Sequence, residues 1–200
     1  MNYLAHLYLS EADDDALLGS LMGDFVKGPL DERYAPAIMR GIALHRRIDT
    51  FTDAHPVVHA SKARVSAERR RYAGIMVDMF YDHFLARYWP EFSAEPLAMF
   101  TQRVYEILAR RSDILPERLQ EMAPHMMRTD WLGSYAHVEA IHTALNNMGR
   151  RFRRENRLLD SADELEQNYA GFEQDFREFL PEVKLFAGQE FPARTVARMD

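Results

Sequence analysis

Acidic and imidazole side chains lie at positions where the surrounding pattern predicts a buried, apolar face. In the helix predicted after Pro36, His45 and Asp49 are four residues apart, and at 100° per residue they fall within the same narrow arc as a set of isoleucines. In a later, almost wholly apolar stretch, Asp78 and Asp82 have the same spacing. A buried, unpaired carboxylate costs several kcal/mol, and two such groups repel each other. The pattern therefore predicts a compensating positive charge, either a metal ion or an arginine.

A third carboxylate favours the metal ion. Asp24 lies in the sequence Gly-Asp-Phe-Val-Lys-Gly, at the apolar end of a predicted helix and just before a Gly-Pro break. The candidate ligands are Asp24, His45, Asp49, Asp78, Asp82 and His83, with His6 and Asp53 in reserve. A set that is rich in carboxylates and has no sulfur suits Mn²⁺ or Mg²⁺ better than a structural zinc ion. A cation of this kind predicts phosphate chemistry, in which an activated water attacks phosphorus.

Each of these residues also has a purely structural interpretation. The spacing of His45 and Asp49 is compatible with a simple hydrogen bond along one helix. A salt bridge to a neighbouring arginine would compensate the later acid pair. Asp24 can cap a helix, and His6 can be a hydrogen-bonded core histidine. The metal interpretation is favoured because three separate segments contribute carboxylates, so three structural explanations would have to hold independently.

Arginines form two clusters, although the chain carries a formal net charge of −6. The first is the run of three at 69–71, which is also typical of a solvated helix end. The second surrounds Phe152 and consists of Arg150, Arg151, Arg153 and Arg154. This second cluster predicts a site for an acidic protein surface or a phosphate-rich ligand. The negative net charge argues against nonspecific nucleic-acid binding as the main function, and an RNA contact is the less favoured alternative.

The elements that must position these groups are predicted to be helices. Apolar residues recur at helical spacing and β-branched runs are rare. With 200 residues, of which 47% are hydrophobic, the chain predicts one all-α domain over residues 1–200, built as a helical bundle. The predicted helices run from the polar segment 10–15 to a stop at 28–29, from Pro36 to His55, from Gly74 to Trp89, from Glu95 to Arg111, from Arg128 to Met148, and from a capping box of Ser161 and Glu164 to about Phe186, with a loose tail from about residue 188.

Composition excludes several classes of protein. The absence of cysteine excludes disulfides, thiolate catalysis and cysteine-based zinc sites. The mean hydropathy is −0.39, and no uninterrupted apolar stretch reaches the roughly 20 residues of a membrane span. The first residues lack the basic start and cleavage pattern of a secretory signal. We therefore expect a cytoplasmic protein with no membrane partner.

Four blocks of sequence resemble a known family. They are Met-Asn-Tyr-Leu-Ala-His-Leu at the start, Gly-Asp-Phe-Val-Lys-Gly at 23–28, His-Arg-Arg-Ile-Asp at 45–49 with Thr-Asp at 52–53, and Asp-Met-Phe-Tyr-Asp-His-Phe-Leu at 78–85. The order and spacing of these blocks, and the length of the chain, are similar to those of the acyl carrier protein phosphodiesterases. The resemblance is strong over roughly the first ninety residues and looser afterwards.

The resemblance implies an all-α fold related to the HD-type metal phosphohydrolases. It also implies hydrolysis of the phosphodiester that joins 4'-phosphopantetheine to a serine of holo-acyl carrier protein, usually with manganese. Asp24 is then the essential residue, and Arg46 and Arg47 contact the phosphate. The positions implied for the metal-binding helices are His45, Asp49, Asp78, Asp82 and His83. The chain has no His-Asp dipeptide, and Asp82-His83 presents that pair in reverse, so ligands cannot simply be transferred from the HD proteins.

These observations together predict a metal-dependent phosphodiesterase whose partner is an acyl carrier protein, with Asp24 and His6 as the catalytic candidates. Because carrier proteins are strongly acidic, we expect a local basic face, supplied by one of the two arginine clusters. Two alternatives stay open. One is a related phosphohydrolase that acts on a nucleotide or another small phosphodiester, and the other is a non-catalytic helical binding module. The oligomeric state stays open as well.

Overall fold

The computed structural model describes residues 1–30, 33–152 and 156–190, and these residues form helices and no strand. The helices are α1 (Tyr3–Tyr8), α2 (Asp14–Met22), α3 (Pro36–Ala54), α4 (Pro56–Arg64), α5 (Ala73–Arg87), α6 (Trp89–Phe92), α7 (Leu97–Arg110), α8 (Glu117–Arg128), α9 (Trp131–Ser134), α10 (Val138–Arg150), α11 (Asp163–Gln167) and α12 (Tyr169–Glu190). Short 3₁₀ turns lie at Arg70–Tyr72 and Ser112–Ile114. The predicted all-α class is confirmed. None of the described helices combines the length and the apolar character that crossing a membrane would require.

Helix α5 lies at the centre of the hydrophobic core and is buried along nearly its whole length. Its aromatic side chains pack against those of α12, with ring centroids 5.0 Å apart for Phe80 and Phe172 and 5.7 Å apart for Phe84 and Phe176. Large aromatic groups bury much apolar surface at a small cost in side-chain entropy. The aromatic residues of α12 therefore form a face of the core.

Helices α2 and α3 approach each other more closely than ordinary side chains allow. A Cβ atom on Gly19 would overlap the carbonyl oxygen of Ile38, and one on Gly41 would overlap the carbonyl oxygen of Ala16. Both obstacles are backbone atoms, which cannot rotate away. Glycine at these two positions lets the backbones touch, and this contact brings the end of α2 beside the middle of α3.

Asp82 is completely buried in α5, but its partners are backbone amides rather than a cation. Leu4 N donates to Asp82 Oδ2 at 2.8 Å, and Ala5 N donates to Asp82 Oδ1 at 3.1 Å. These two N–H groups belong to the first turn of α1, where a helix has no intrahelical acceptors. Burial raises the pKa of Asp82 to about 7, and the two amide bonds oppose that rise. The carboxylate thereby fixes α1 against α5.

We expect Asp82→Ala to lower the free energy of unfolding by about 1–3 kcal/mol, because it leaves two buried amides without an acceptor. Urea denaturation followed by circular dichroism measures this change. Asp113→Ala is the matched control, since Asp113 is exposed and its removal should cost less than about 0.5 kcal/mol. Equal stability of the two variants would contradict the anchoring role of Asp82.

Several predicted helix boundaries are wrong. The continuous helix from Arg128 to Met148 is interrupted at Asp130, whose φ of 43° is left-handed, and α10 begins only at Val138. The helix predicted to extend to residues 28–29 ends at Met22. The helices α4 and α8 were not predicted at all.

The capping box is also wrong. The Ser161 hydroxyl donates to the carbonyl oxygen of Leu158 at 2.7 Å, and the Glu164 carboxylate accepts from Ser66 N at 3.1 Å instead of closing a cap. The chain bends at Asn168, so the long helix is α12 alone. That helix extends to residue 190, so the predicted loose tail is wrong for residues 188–190. Residues 191–200 lie outside the described ranges.

Candidate metal centre

Two buried histidines from α1 and α3 meet a partly exposed aspartate of α3. His6 Nε2 lies 3.0 Å from Asp49 Oδ1, and His45 Nε2 lies 3.2 Å from Asp49 Oδ2. The two imidazole rings are stacked, with centroids 3.7 Å apart, and each histidine is only 1% exposed. One ligand atom from each residue can be chosen so that all three lie within 4.8 Å of one another. We call His6, His45 and Asp49 the His–Asp cluster.

Asp24 lies at the edge of the cluster, two residues beyond the end of α2. Its Oδ1 is 3.5 Å from His45 Nε2, and its side chain is 49% exposed. The neighbouring Gly23 makes this approach possible, because a Cβ atom there would overlap the ring of His45. The carboxylate of Asp24 therefore connects the buried histidines with solvent.

Asp78 reaches the cluster through the amino group of Met1. The amino nitrogen lies 3.0 Å from Asp78 Oδ1 and 3.9 Å from Asp49 Oδ1. Burial disfavours the charged amine, but the two carboxylates outweigh it and raise the pKa of the amino group. Three carboxylates, those of Asp24, Asp49 and Asp78, thus surround a small region that attracts positive charge.

The pKa values of the cluster reflect burial and the negative charge of the neighbouring carboxylates. Burial alone would lower the pKa of His45, but hydrogen bonds to Asp24 and Asp49 raise it to about 9. Burial and the neighbouring His45 lower the pKa of His6 to about 4. Burial acts to raise the pKa of Asp49, and the hydrogen bonds from the two histidines outweigh it and hold that pKa below its usual range. The cluster therefore combines a positive His45, a neutral His6 and an ionised Asp49.

The surroundings of His45 fit the pattern of a metal ligand. Its Nδ1 lies 2.8 Å from the carbonyl oxygen of Ser20. Because a carbonyl can only accept, Nδ1 carries the hydrogen and Nε2 faces the carboxylates, where either a proton or a cation must separate it from the oxygen atoms. A ligating histidine is typically oriented by such a bond to its other nitrogen. Imidazole nitrogens together with carboxylate oxygens suit divalent transition metals.

The other predicted ligands are bound to other groups of the protein. The carboxylate of Asp82 anchors α1, as described above. His83 Nδ1 lies 2.9 Å from the carbonyl oxygen of Tyr135, and His83 Nε2 lies 2.9 Å from the hydroxyl of Tyr169. Asp53 forms an ion pair of 2.9 Å with Lys62. The structure thus brings together Asp24, His45, Asp49, Asp78 and the reserve residue His6.

Two of the arginines that were predicted to contact phosphate bind groups of the protein itself. Arg46 donates to the carbonyl oxygens of Val26 and Gly28, at 2.7 and 2.8 Å, and so holds the loop after α2. Arg47 forms an ion pair with Glu190. Arg150 and Arg151 are exposed at the end of α10. Arg153 and Arg154 lie outside the described residues.

An open cleft of about 540 Å³ lies over the cluster. The carboxylates that line it are those of Asp24, Asp49, Asp53 and Asp78. Its cationic side chains are Lys27, Arg118 and Arg151. Arg118 was not predicted as a site residue, because α8 was not predicted and Arg118 lies far along the chain from the acids. Lys27 belongs to the Gly-Asp-Phe-Val-Lys-Gly sequence at 23–28, but only the fold shows that it lines the cleft. The cleft thus offers both metal ligands and groups that neutralise an anion.

Helical architecture with a His–carboxylate cluster beneath a mixed-charge cleft defines a candidate metal centre in an all-α protein. A family model described as acyl carrier protein phosphodiesterase matches residues 1–183. The chain belongs to the acyl carrier protein phosphodiesterase family, as its sequence blocks suggest, and is a hydrolase. No solved structure matches the chain, so the relation to the HD-type fold stays a prediction.

Individual relatives agree with the family match. The chain is 38% identical over 184 residues to the acyl carrier protein phosphodiesterase of Serratia proteamaculans, covering 92% of this chain and 95% of that protein. It is 37% identical to the protein of that name from Photorhabdus laumondii, covering 90% and 92%. For the Enterobacter sp. protein of the same name the identity is 36%, covering 94% and 97%. The similarity therefore extends over nearly the whole length of these proteins.

Proposed function

We propose that this protein hydrolyses the phosphodiester that joins 4'-phosphopantetheine to a serine of holo-acyl carrier protein, which yields the apo-protein and free 4'-phosphopantetheine. The observation that carries the proposal is the His–Asp cluster, with Asp24 beside it, beneath a cleft that also presents cationic side chains. Family membership supplies the substrate class. A cytoplasmic location belongs to the same proposal.

The residues that would hold a divalent cation are His6, His45, Asp49 and Asp24. We propose Mn²⁺, with Mg²⁺ as the alternative, because the site mixes imidazole nitrogen with carboxylate oxygen. When bound, such a cation polarises the phosphoryl oxygens and lowers the pKa of a water molecule. The buried position of His6, between Asp49 and the carbonyl oxygen of Met1, suits a ligand better than a group that exchanges protons with the substrate.

The remaining chemistry is assigned to exposed groups of the cleft. Asp24 is half-exposed and borders the cluster, so it can orient the attacking water and accept its proton. Lys27, Arg118 and Arg151 line the cleft and would offset the charge of the phosphoryl oxygens. The serine of the carrier protein departs as an alcohol, with its proton taken from solvent at the open mouth of the cleft.

Mass spectrometry of holo-acyl carrier protein incubated with this protein tests the proposal. We expect loss of the whole prosthetic group, faster with added Mn²⁺ and suppressed by a chelator. Hydrolysis of a nucleotide or a small phosphodiester, with holo-carrier protein left intact, would favour the related phosphohydrolase. Absence of stoichiometric metal and indifference to chelator would favour a non-catalytic binding module.

The carrier protein is expected to dock on the second arginine cluster. In the first cluster, Arg69 bonds to Glu164 and to the carbonyl oxygen of Arg157, and Arg70 donates to the carbonyl oxygen of Val65. These two guanidinium groups hold the protein's own loops. Arg150 and Arg151, in contrast, are exposed beside the cleft, and Arg151 lines it.

Arg150→Glu should raise the KM for holo-carrier protein by up to about fivefold and weaken its dependence on salt, because an exposed charge pair contributes roughly 0.2–1 kcal/mol. Initial rates at two ionic strengths measure both effects. Arg71→Glu is the matched control, an exposed arginine of the first cluster that should leave KM unchanged. Unchanged kinetics for Arg150→Glu would remove this surface from the docking model.

A further inference from the structure

A second cavity of about 820 Å³ adjoins the cleft, and the two share the lining residues Tyr3, Met148 and Arg151. It lies between α8, α9 and α10. Its volume falls within the roughly 300–1,000 Å³ typical of small-molecule sites. Because the two cavities have these lining residues in common, a ligand with its phosphate in the cleft lies next to the second cavity.

The lining of the second cavity is largely apolar. Trp131, Met122 and Ala144 form part of its wall, and Tyr3 and Trp131 meet edge to face with ring centroids 6.5 Å apart. Hydrogen-bonding groups are spaced among these residues, including Ser134 and Thr143. Such a surface suits a chain that alternates apolar segments with neutral polar groups.

Charge distinguishes the two cavities. The cleft is lined by four carboxylates, three of them from the candidate metal centre, and by three cationic side chains. Among the described residues, the acids of the second cavity are Glu121 and Glu139, and its cationic side chain is Arg151. Arg151 lies where the two meet. A ligand that is anionic only at the end held in the cleft fits this distribution, and a second anionic end would face the two glutamates.

We propose that the second cavity holds the pantetheine arm of the substrate while its phosphodiester occupies the cleft. This inference rests on the proposed function. The arm consists of a gem-dimethyl group, a hydroxyl, two amides and a terminal thiol, so it is uncharged beyond its phosphate and alternates apolar with polar groups. Arg151 then faces the phosphate, and Trp131 faces the arm.

Fluorescence of Trp131 tests the occupant directly. The chain has two tryptophans, and Trp89 is only 1% exposed in the core, so a change on adding ligand reports on Trp131. We expect unphosphorylated pantetheine to produce a saturable change. Ala140→Phe, which fills part of the cavity, should weaken this binding and raise the KM for holo-carrier protein by about tenfold. Hydrolysis of bis(4-nitrophenyl) phosphate, which has no arm, should be unchanged.

Ala60→Phe is the matched control, because Ala60 is an exposed helical alanine of α4 that lines neither cavity. Cleavage of holo-carrier protein without a pantetheine response, and with unaltered kinetics in Ala140→Phe, would overturn the inference and leave the proposed function intact. A response to decanoate but not to pantetheine would also overturn it, in favour of an acyl chain. Intact holo-carrier protein would refute the proposed function, and the pantetheine titration would still decide whether the cavity binds the arm.

Discussion

Asp24→Ala is expected to lower kcat for holo-acyl carrier protein on the order of 10³-fold, the range typical for loss of a group that positions and deprotonates a nucleophile. Asp24 is the most exposed carboxylate around the His–Asp cluster, so its removal should leave the helical circular dichroism spectrum and the melting temperature nearly unchanged. Steady-state kinetics and a thermal melt measure the two properties separately. Loss of activity would then be chemical rather than structural.

Asp53→Ala is the matched control for this variant. Asp53 also lines the cleft, but its carboxylate is paired with Lys62 and lies outside the His–Asp cluster, so we expect an activity close to that of the unmodified protein. Equilibrium dialysis with Mn²⁺ distinguishes between the two possible roles of Asp24. Weakened metal binding in Asp24→Ala would identify it as a ligand, and unchanged metal binding with lost turnover would identify it as the group that orients water. Full activity of Asp24→Ala would refute both roles.

Helical periodicity predicts which residues share a face of a helix, but not which groups those residues bind. Placing His45 and Asp49 on the same side of one helix needs only the helical period, and their contact confirms that prediction, although only His45 is buried and Asp49 is 40% exposed. The burial of Asp82 was predicted correctly, but its compensating partners are the amides of Leu4 and Ala5. A backbone N–H group is present whatever the side chain, so the sequence does not reveal where one will act as a donor. Composition and spacing therefore cannot distinguish a buried acid that anchors a helix from one that binds a cation.

Long-range packing explains the other differences. His6 was a reserve candidate because nothing in its own segment specifies that α1 lies against α3. Arg46 was predicted to contact phosphate, but a guanidinium group satisfies backbone carbonyls equally well, and its two acceptors, Val26 and Gly28, are set by the loop after α2. The break in the helix at Asp130 was not predicted, because the residue at the break is neither glycine nor proline. Each of these features depends on contacts between segments distant in the chain.

The same dependence on packing predicts the effect of Gly23→Ala. The backbone of Gly23 is right-handed helical, with φ −51° and ψ −40°, so alanine is acceptable for the backbone itself. The added Cβ would overlap the ring of His45. That ring has little freedom to move, because its Nδ1 is bonded to the carbonyl oxygen of Ser20 and its face is stacked on His6.

We therefore expect Gly23→Ala to displace His45 Nε2 from the carboxylates and to weaken both Mn²⁺ binding and kcat/KM by about 10–100-fold, as for groups that orient a metal ligand. Titration calorimetry with Mn²⁺ and kinetics on holo-carrier protein measure the two effects. Gly188→Ala is the control, because nothing lies within 4 Å of a Cβ at that helical position and the change should slightly stabilise the fold. If Gly23→Ala bound Mn²⁺ as tightly as the Gly188→Ala control, His45 would not be a ligand, and the proposed centre would have to be rebuilt around Asp24, Asp49 and Asp78.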